Sequence, residues 1–181
     1  ESAYLDETNL RNANLKEAIL RGADLRYASL QGADLHDADL EGANLEQAAL
    51  VKADLHSAKL PMAILYRAVL DEADFLDANL TRAVLIEAKG LRTNFMNGDL
   101  SELYAPKSSF QHAQFNRATL ESANFVGADL RGSNFSHSNM THANLQDTNL
   151  QDATFVSSNL SGARLDSADL SRANFAGAIL S

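Results

Sequence analysis

The chain predicts an all-β fold, a quadrilateral solenoid of very short strands, and three features of its 181 residues carry that prediction. Every fifth residue from Leu5 to Leu180 is large and apolar in 34 of 36 cases, namely 25 Leu, 8 Phe and 1 Met, with Gly90 and Ala105 as the exceptions. Two residues before these central positions, Ala fills 27 of 36 places. Six of the eight Phe, namely Phe75, Phe95, Phe115, Phe135, Phe155 and Phe175, stand 20 residues apart without a miss.

The Ala–Leu spacing excludes a helix, because residues two apart lie about 200° apart around an α-helix and would point to opposite sides. In an extended segment they share a face, so Ala13 and Leu15 point inward while Asn14 points outward. Lys16 and Glu17 must then turn the chain so that Ala18 and Leu20 face the same interior. Four such corners close a square. With four units per coil the six Phe form one column, whereas three or five units per coil would scatter them. The 36 units then make about nine coils. At an inter-strand spacing of roughly 4.8 Å the solenoid is on the order of 40 Å long, with backbone hydrogen bonds running between coils.

The units A-D-L-R-Y at Ala23 to Tyr27, A-D-L-H-D at Ala33 to Asp37 and A-N-L-E-Q at Ala43 to Gln47 resemble the pentapeptide repeat family, and the resemblance covers essentially the whole chain. It implies a right-handed quadrilateral β-helix, a handedness that the periodicity does not supply. A leucine-rich repeat also runs at twenty residues, but its quarters differ from one another, whereas here all four follow one rule.

Taken in order, the first 18 units are the stricter, holding 16 Leu, Phe75 and Gly90 at their centres and Ala two residues earlier in all but Thr8. The only disturbed stretch is Lys89 to Lys107. There Leu103 and Ala105 exchange the usual small and large residues, which conserves volume because both face inward. Gly90, with Ala88 also small, leaves a cavity unless Leu91 turns in to fill it, and faster hydrogen exchange is expected over residues 88–107 than in the coils on either side. Beyond it the centres hold 9 Leu, 7 Phe, Met140 and Ala105, and Ser or Thr replaces Ala at positions 93, 108, 133, 138, 148 and 158. The phase of five is kept throughout. The expectation is a single solenoid over residues 1–181 with a seam at 89–107.

The net charge of −9 disfavours direct binding to nucleic acid or to an anionic membrane, since no basic stripe is present to neutralise phosphates. With no Cys there is neither a disulfide framework nor thiolate chemistry. No apolar run is long enough for a membrane span and no charged-then-apolar leader is visible. The sequence leaves the location unknown: cytoplasmic, or periplasmic or lumenal if a leader was removed. A catalytic site needs a concavity with convergent polar groups, and the chain has no insertion to wall one. No enzyme activity, cofactor or metal is expected.

Three surface features remain. Ile64, Val84 and Tyr104 occupy one outward column, and Tyr66, Ile86, Pro106 and Val126 the companion column beyond the same centres. Sheet propensity accounts for Val, Ile and Tyr there, but contiguous exposed apolar groups also mark contacts, including self-association. Asp34, Asp54 and Asp74 form an acidic column that reads either as a recognition stripe or as turn residues bonding their own backbone. His36 and His56 should stack on the same face, where a strand pitch of roughly 4.8 Å does not by itself close a coordination sphere. The resemblance adds that some family members mimic duplex DNA and bind DNA gyrase, while others are proteins of the periplasm or thylakoid lumen. Duplex DNA has one charge per roughly 1.7 Å, far denser than −9 over this length. The expected function is a non-enzymatic scaffold with an unknown protein partner.

Overall fold

In the computed structural model, which describes residues 3–181, parallel β-bridges join each outward residue before a centre to the residue 20 positions on. Tyr4 pairs with Asp24, Asn9 with Ser29, Asn14 with Asp34 and Ile19 with Asp39, and the four series continue to Asn159 with Ile179. A coil is therefore four units, one per side. The first face carries the centres from Leu5 to Leu165, the second those from Leu10 to Leu170, the third those from Leu15 to Phe175 and the fourth those from Leu20 to Leu180. Bridges continue through the disturbed stretch, as Val84 with Tyr104, Lys89 with Ser109 and Asp99 with Thr119.

The five N–H groups of a unit have separate destinations. The centre donates one coil onward, as Leu45 N–H does to the Ile64 carbonyl at 2.7 Å. The residue before it donates one coil back, and the second residue after it donates onward again, as Asn44 does to Ala23 and Gln47 to Tyr66. The Ala-position N–H closes the corner, Ala48 donating to Leu45 at 3.0 Å. The fifth, on the residue after the centre, goes to a side chain. Every Asp or Asn standing before a centre accepts it through Oδ1, at 2.9–3.4 Å. This explains a residue preference that hydrophobic packing alone leaves open, because an N–H left without a partner is costly to bury.

The corner is a type II turn, since its second central residue, and not its first, has a positive φ of about 54–69°. Gly relieves that conformation at Gly22, Gly32, Gly42, Gly127, Gly132, Gly162 and Gly177, but 28 other corners hold a side-chain-bearing residue there. Coil-to-coil bonding overrides a local cost of about 1–2 kcal/mol at each. Both prolines fit the same scheme. Pro61 follows Lys59 and Pro106 follows Tyr104, two units that lack an Asp or Asn acceptor, and proline has no N–H to satisfy and suits the first central position of a type II turn. The scheme gives a test. Asn134→Ala removes the acceptor of the Ser136 N–H at 3.0 Å and is expected to cost about 1 kcal/mol. Adding Ser136→Pro removes the orphaned donor and should return most of that loss in a denaturant melt; a further loss would refute the pairing of the two positions.

Several of the aspartates are also held ionised. Arg26 hydrogen-bonds Asp24 and lowers its pKa, and Asp169 is held down to about 2, chiefly by Ser171 and the Gln151 amide. Depressed folded values contribute stability above the ordinary carboxylate range, lost as pH falls from about 4 towards 2. Units closed by Asn carry no such dependence.

The interior is the predicted one. The third-face rings stack with centroid distances of 5.1, 5.0, 4.8, 5.1 and 4.7 Å from Phe75 to Phe175. Leu103 and Ala105 are both buried, an inward exchange as the sequence suggests. At Gly90 neither alternative holds. Leu91 faces outward and is 41% exposed, and the space at Gly90 is taken by Phe110 of the next coil and by Thr93 of its own corner: a Cβ there would lie 2.6 Å from Cδ1 of Phe110 and 2.3 Å from Oγ1 of Thr93. A residue twenty positions away fills the gap because it stacks directly on Gly90, whereas Leu91 would have to leave its turn. The Leu91 N–H is satisfied by Oδ1 of Asp71 at 2.8 Å, one coil back.

Thr93, Ser108, Ser133, Ser138, Thr148 and Ser158 replace Ala without an unpaired hydroxyl. Each bonds a central carbonyl, either its own corner's, as Ser138 to Phe135, or one a coil earlier, as Ser133 to Phe110.

Candidate functional site: the apolar first face and the acidic third face

On the first face the β-bridges stack Ile64 on Val84 and Val84 on Tyr104. Ile64 is 39% and Tyr104 45% exposed, while Tyr66, Val84, Ile86, Pro106 and Val126 are half-buried. The seven therefore lie together as the sequence implied. Met62, 51% exposed at the corner leading into this face, extends the apolar area and was not anticipated. The signal lay in position: Met62 is the only large apolar residue among the second corner positions that precede the first face, where Gly, Arg, Glu, Ser and His otherwise stand.

Charged side chains border the patch on both corners. Arg82 reaches Glu102 at 2.9 and 3.1 Å on one corner, and Arg67 reaches Glu87 at 2.7 Å on the other while its guanidinium sits 4.8 Å over the Tyr66 ring. These exposed pairs contribute about 0–1 kcal/mol each to the fold. An apolar centre with a polar rim is the anatomy of a protein contact.

Around the Arg67 corner, Arg67, Val69, Glu87, Lys89, Lys107 and Ser109 line a shallow hollow of about 330 Å³. A second hollow of about 340 Å³ lies between the second and third faces, lined by Gln111, His112, Arg131, Gly132, Gln151, Asp152 and Arg172. Its two guanidinium groups are engaged, Arg131 by Asp129 at 2.7 Å and Arg172 by Asp152 at 2.6 Å.

On the third face Asp34, Asp54 and Asp74 stack by β-bridges, and each accepts through Oδ1 the N–H of His36, His56 or Leu76 respectively, at 3.0 Å. One oxygen of each carboxylate is thus committed to its own turn. Asn94 completes the column by donating to Asp74 at 2.8 Å. Asp37 and Asp77, at the following corner, bring the count to five carboxylates, while Lys52, on the corner leading into this face, pairs with Glu72 at 3.5 Å. The His36 and His56 rings are stacked at 4.8 Å and 9°. Parallel planes aim the ring nitrogens side by side rather than at a common point. Among the described residues no group of three or more His, Cys, Asp or Glu could hold a metal ion. No helix of the described residues is long and apolar enough to cross a membrane.

Comparison with known proteins agrees with this architecture. Residues 3–42, 28–65 and 63–101 match the model for pentapeptide repeats, and residues 108–181 that for a pentapeptide repeat region. Among solved structures the chain is similar to HetL, a pentapeptide repeat protein involved in heterocyst differentiation regulation from the cyanobacterium Nostoc sp. strain PCC 7120, with 36% identity over 98% of this chain and 81% of that one and a TM-score of 0.65. QnrB1, a plasmid-mediated fluoroquinolone resistance protein, matches at 16% identity over 99% of this chain and 90% of that one, with a TM-score of 0.44. A pentapeptide repeat protein from the Arabidopsis thaliana thylakoid lumen matches at 27% over 67% of this chain and 71% of that one, with a TM-score of 0.27. Comparison with curated proteins yields no match. Pentapeptide repeat proteins such as HetL are right-handed quadrilateral β-helices, the four-sided coil that the 20-residue bridge period describes here.

Proposed function

Because the chain belongs to the pentapeptide repeat family, we propose that it is a non-enzymatic interaction protein, a single rigid solenoid of about nine coils that acts by docking a protein on its first face. The observation that carries this reading is the apolar rank of Ile64, Tyr66, Val84, Ile86, Tyr104, Pro106 and Val126 with an ion pair on each bordering corner. Elsewhere the positions before the centres are held mostly by Asp and Asn, whose oxygens close the turns, so replacing them with Ile64, Val84 and Tyr104 gives up turn bonds without gaining core. A contact partner supplies the missing benefit. The similarity to HetL, a protein described as involved in regulation, is in keeping with action by binding.

The test is retention of proteins from the source cell on the immobilised chain, compared with Val84→Lys/Ile86→Lys and with Asp34→Asn/Asp54→Asn/Asp74→Asn. Loss of the bound proteins with the first variant alone is the expected result. Retention by the first variant and loss by the second would move the docking site to the third face.

Inhibition of DNA gyrase by mimicry of duplex DNA is a further use to which an acidic solenoid is suited, and we expect it to be weak here. The five carboxylates of the third face span only three coils, Lys52 stands at the corner leading into that face, and Arg21, Arg26, Arg67 and Arg82 interrupt the acids on the other sides. In a supercoiling assay the chain should show little inhibition. Strong inhibition that weakens with salt and disappears in the triple Asp→Asn variant would replace the first-face reading with a topoisomerase one.

A further inference from the structure

The first face is complementary to itself. We propose that its occupant is a second copy of this chain, laid face to face and antiparallel, with a two-fold axis along the strands midway between Val84 and Tyr104. This rests on the reading of the first face as a docking surface and adds the partner.

The argument is one of register. Such an axis keeps each column opposite itself and reverses the coil order, so Val84 meets Tyr104 of the second copy, Tyr66 meets Val126, Ile86 meets Pro106 and, at the edge of the patch, Ile64 meets Asn124. In each of the first three pairs a larger side chain opposes a smaller one, which keeps the gap between the faces even. A parallel arrangement would instead set Ile64 against Tyr66 twice at one end, two large side chains opposed.

Charge follows the same operation. Arg82 faces Glu102 of the second copy, and the bidentate pair each copy already holds becomes a closed square of alternating sign. On the other corner Glu87 faces Lys107 of the second copy. Lys107 has no ion-pair partner within its own chain among the described residues. Arg67 faces Gly127, where a missing side chain leaves room; even a Cβ at Gly127 would have only Lys107 Cγ near it, at 3.8 Å. Further out Asp24 faces Arg164 and Arg26 faces Asp166. No like charges are opposed along this face. Complementarity of this kind fixes register and excludes wrong alignments more than it adds affinity.

The footprint is on the order of 600 Å² per copy from strand geometry, short of the roughly 800 Å² of a standard interface. The dimer is therefore weak and concentration-dependent. Sedimentation velocity on the full chain from about 1 μM to about 1 mM should show a monomer passing to a dimer. Val84→Lys/Ile86→Lys, checked by circular dichroism for an intact fold, should remain monomeric throughout. Lys107→Glu alone and Glu87→Lys alone should each weaken dimerisation about tenfold, and the double exchange should return it to within about threefold of the starting value. In a parallel dimer those residues would face Glu102 and Arg82 instead, and the double exchange would be the weakest of all. Losses that accumulate in the double variant, or a chain that stays monomeric at every concentration, overturn the proposal. If other proteins from the source cell still bind the first face after either result, the docking reading stands without the dimer; if nothing binds, both fall.

Discussion

Phe115→Ala is expected to cost about 3–5 kcal/mol of folding free energy, more than any change on the outer faces of the solenoid. The ring is fully buried and stacked between Phe95 at 5.0 Å and Phe135 at 4.8 Å, with Phe110 and Phe125 edge-on at 6.3 and 5.9 Å. Its neighbours along the column are held at the ladder spacing by backbone hydrogen bonds on both sides. They cannot collapse into the gap, so the transfer loss and the cavity loss both apply. Asn116→Ala, one residue on, is the matched control. The Asn116 Oδ1 is buried without a hydrogen-bond partner, so removing it should be neutral or slightly stabilising. Denaturant melts of the two variants decide the matter, and similar midpoints would refute the inward placement of every fifth residue.

Gly90→Leu should destabilise by about 1–3 kcal/mol although it restores the residue that the repeat calls for. The space that a central Leu would occupy belongs to Phe110 and Thr93, and the first added carbon already lies 2.3–2.7 Å from their atoms. The two coils are coupled through that shared volume. Phe110→Leu in the same background should recover much of the loss, because a central Leu stacked on a central Leu is the arrangement at Leu50 and Leu70 of the same face. A double-mutant cycle showing independent, additive losses would mean that Phe110 does not fill the Gly90 space. The same packing alters the expectation of fast hydrogen exchange around residues 88–107, because the void that would have loosened this stretch is filled.

The repeat was legible because its two inward positions alternate with an outward one at a spacing only extended chain allows, and the Phe period then fixed four units per coil. What could not be read was anything carried by groups other than large side chains. The sequence suggested that Asp34 and its column serve turns, but which N–H they receive depends on the type II geometry of the corner, and nothing in the composition announces a positive φ at Arg82, Glu87 or Lys107. The repair of Gly90 was missed for a related reason. Local inspection looks to Leu91, one bond away, while the molecule uses Phe110, one coil away. The apolar face was legible as a column pair once the period was known, but its ion-paired rim was not, because Arg67 with Glu87 and Arg82 with Glu102 become neighbours only through the twenty-residue stack.

The bond from Asn Oδ1 to the turn N–H also bears on how the molecule ages. Loss of the amide from an asparagine begins when the backbone nitrogen of the next residue attacks the side-chain carbon. In this coil that nitrogen belongs to the central residue and is already held by the next coil, as Leu145 N–H is by the Arg164 carbonyl at 2.8 Å, while Asn144 Oδ1 is held by Gln146 N–H at 3.2 Å. The reaction is therefore slowed at its first step. Where simple hydrolysis does occur, it leaves an aspartate whose oxygen accepts the same N–H, so an old molecule keeps its shape and differs from a new one in carrying more negative charge.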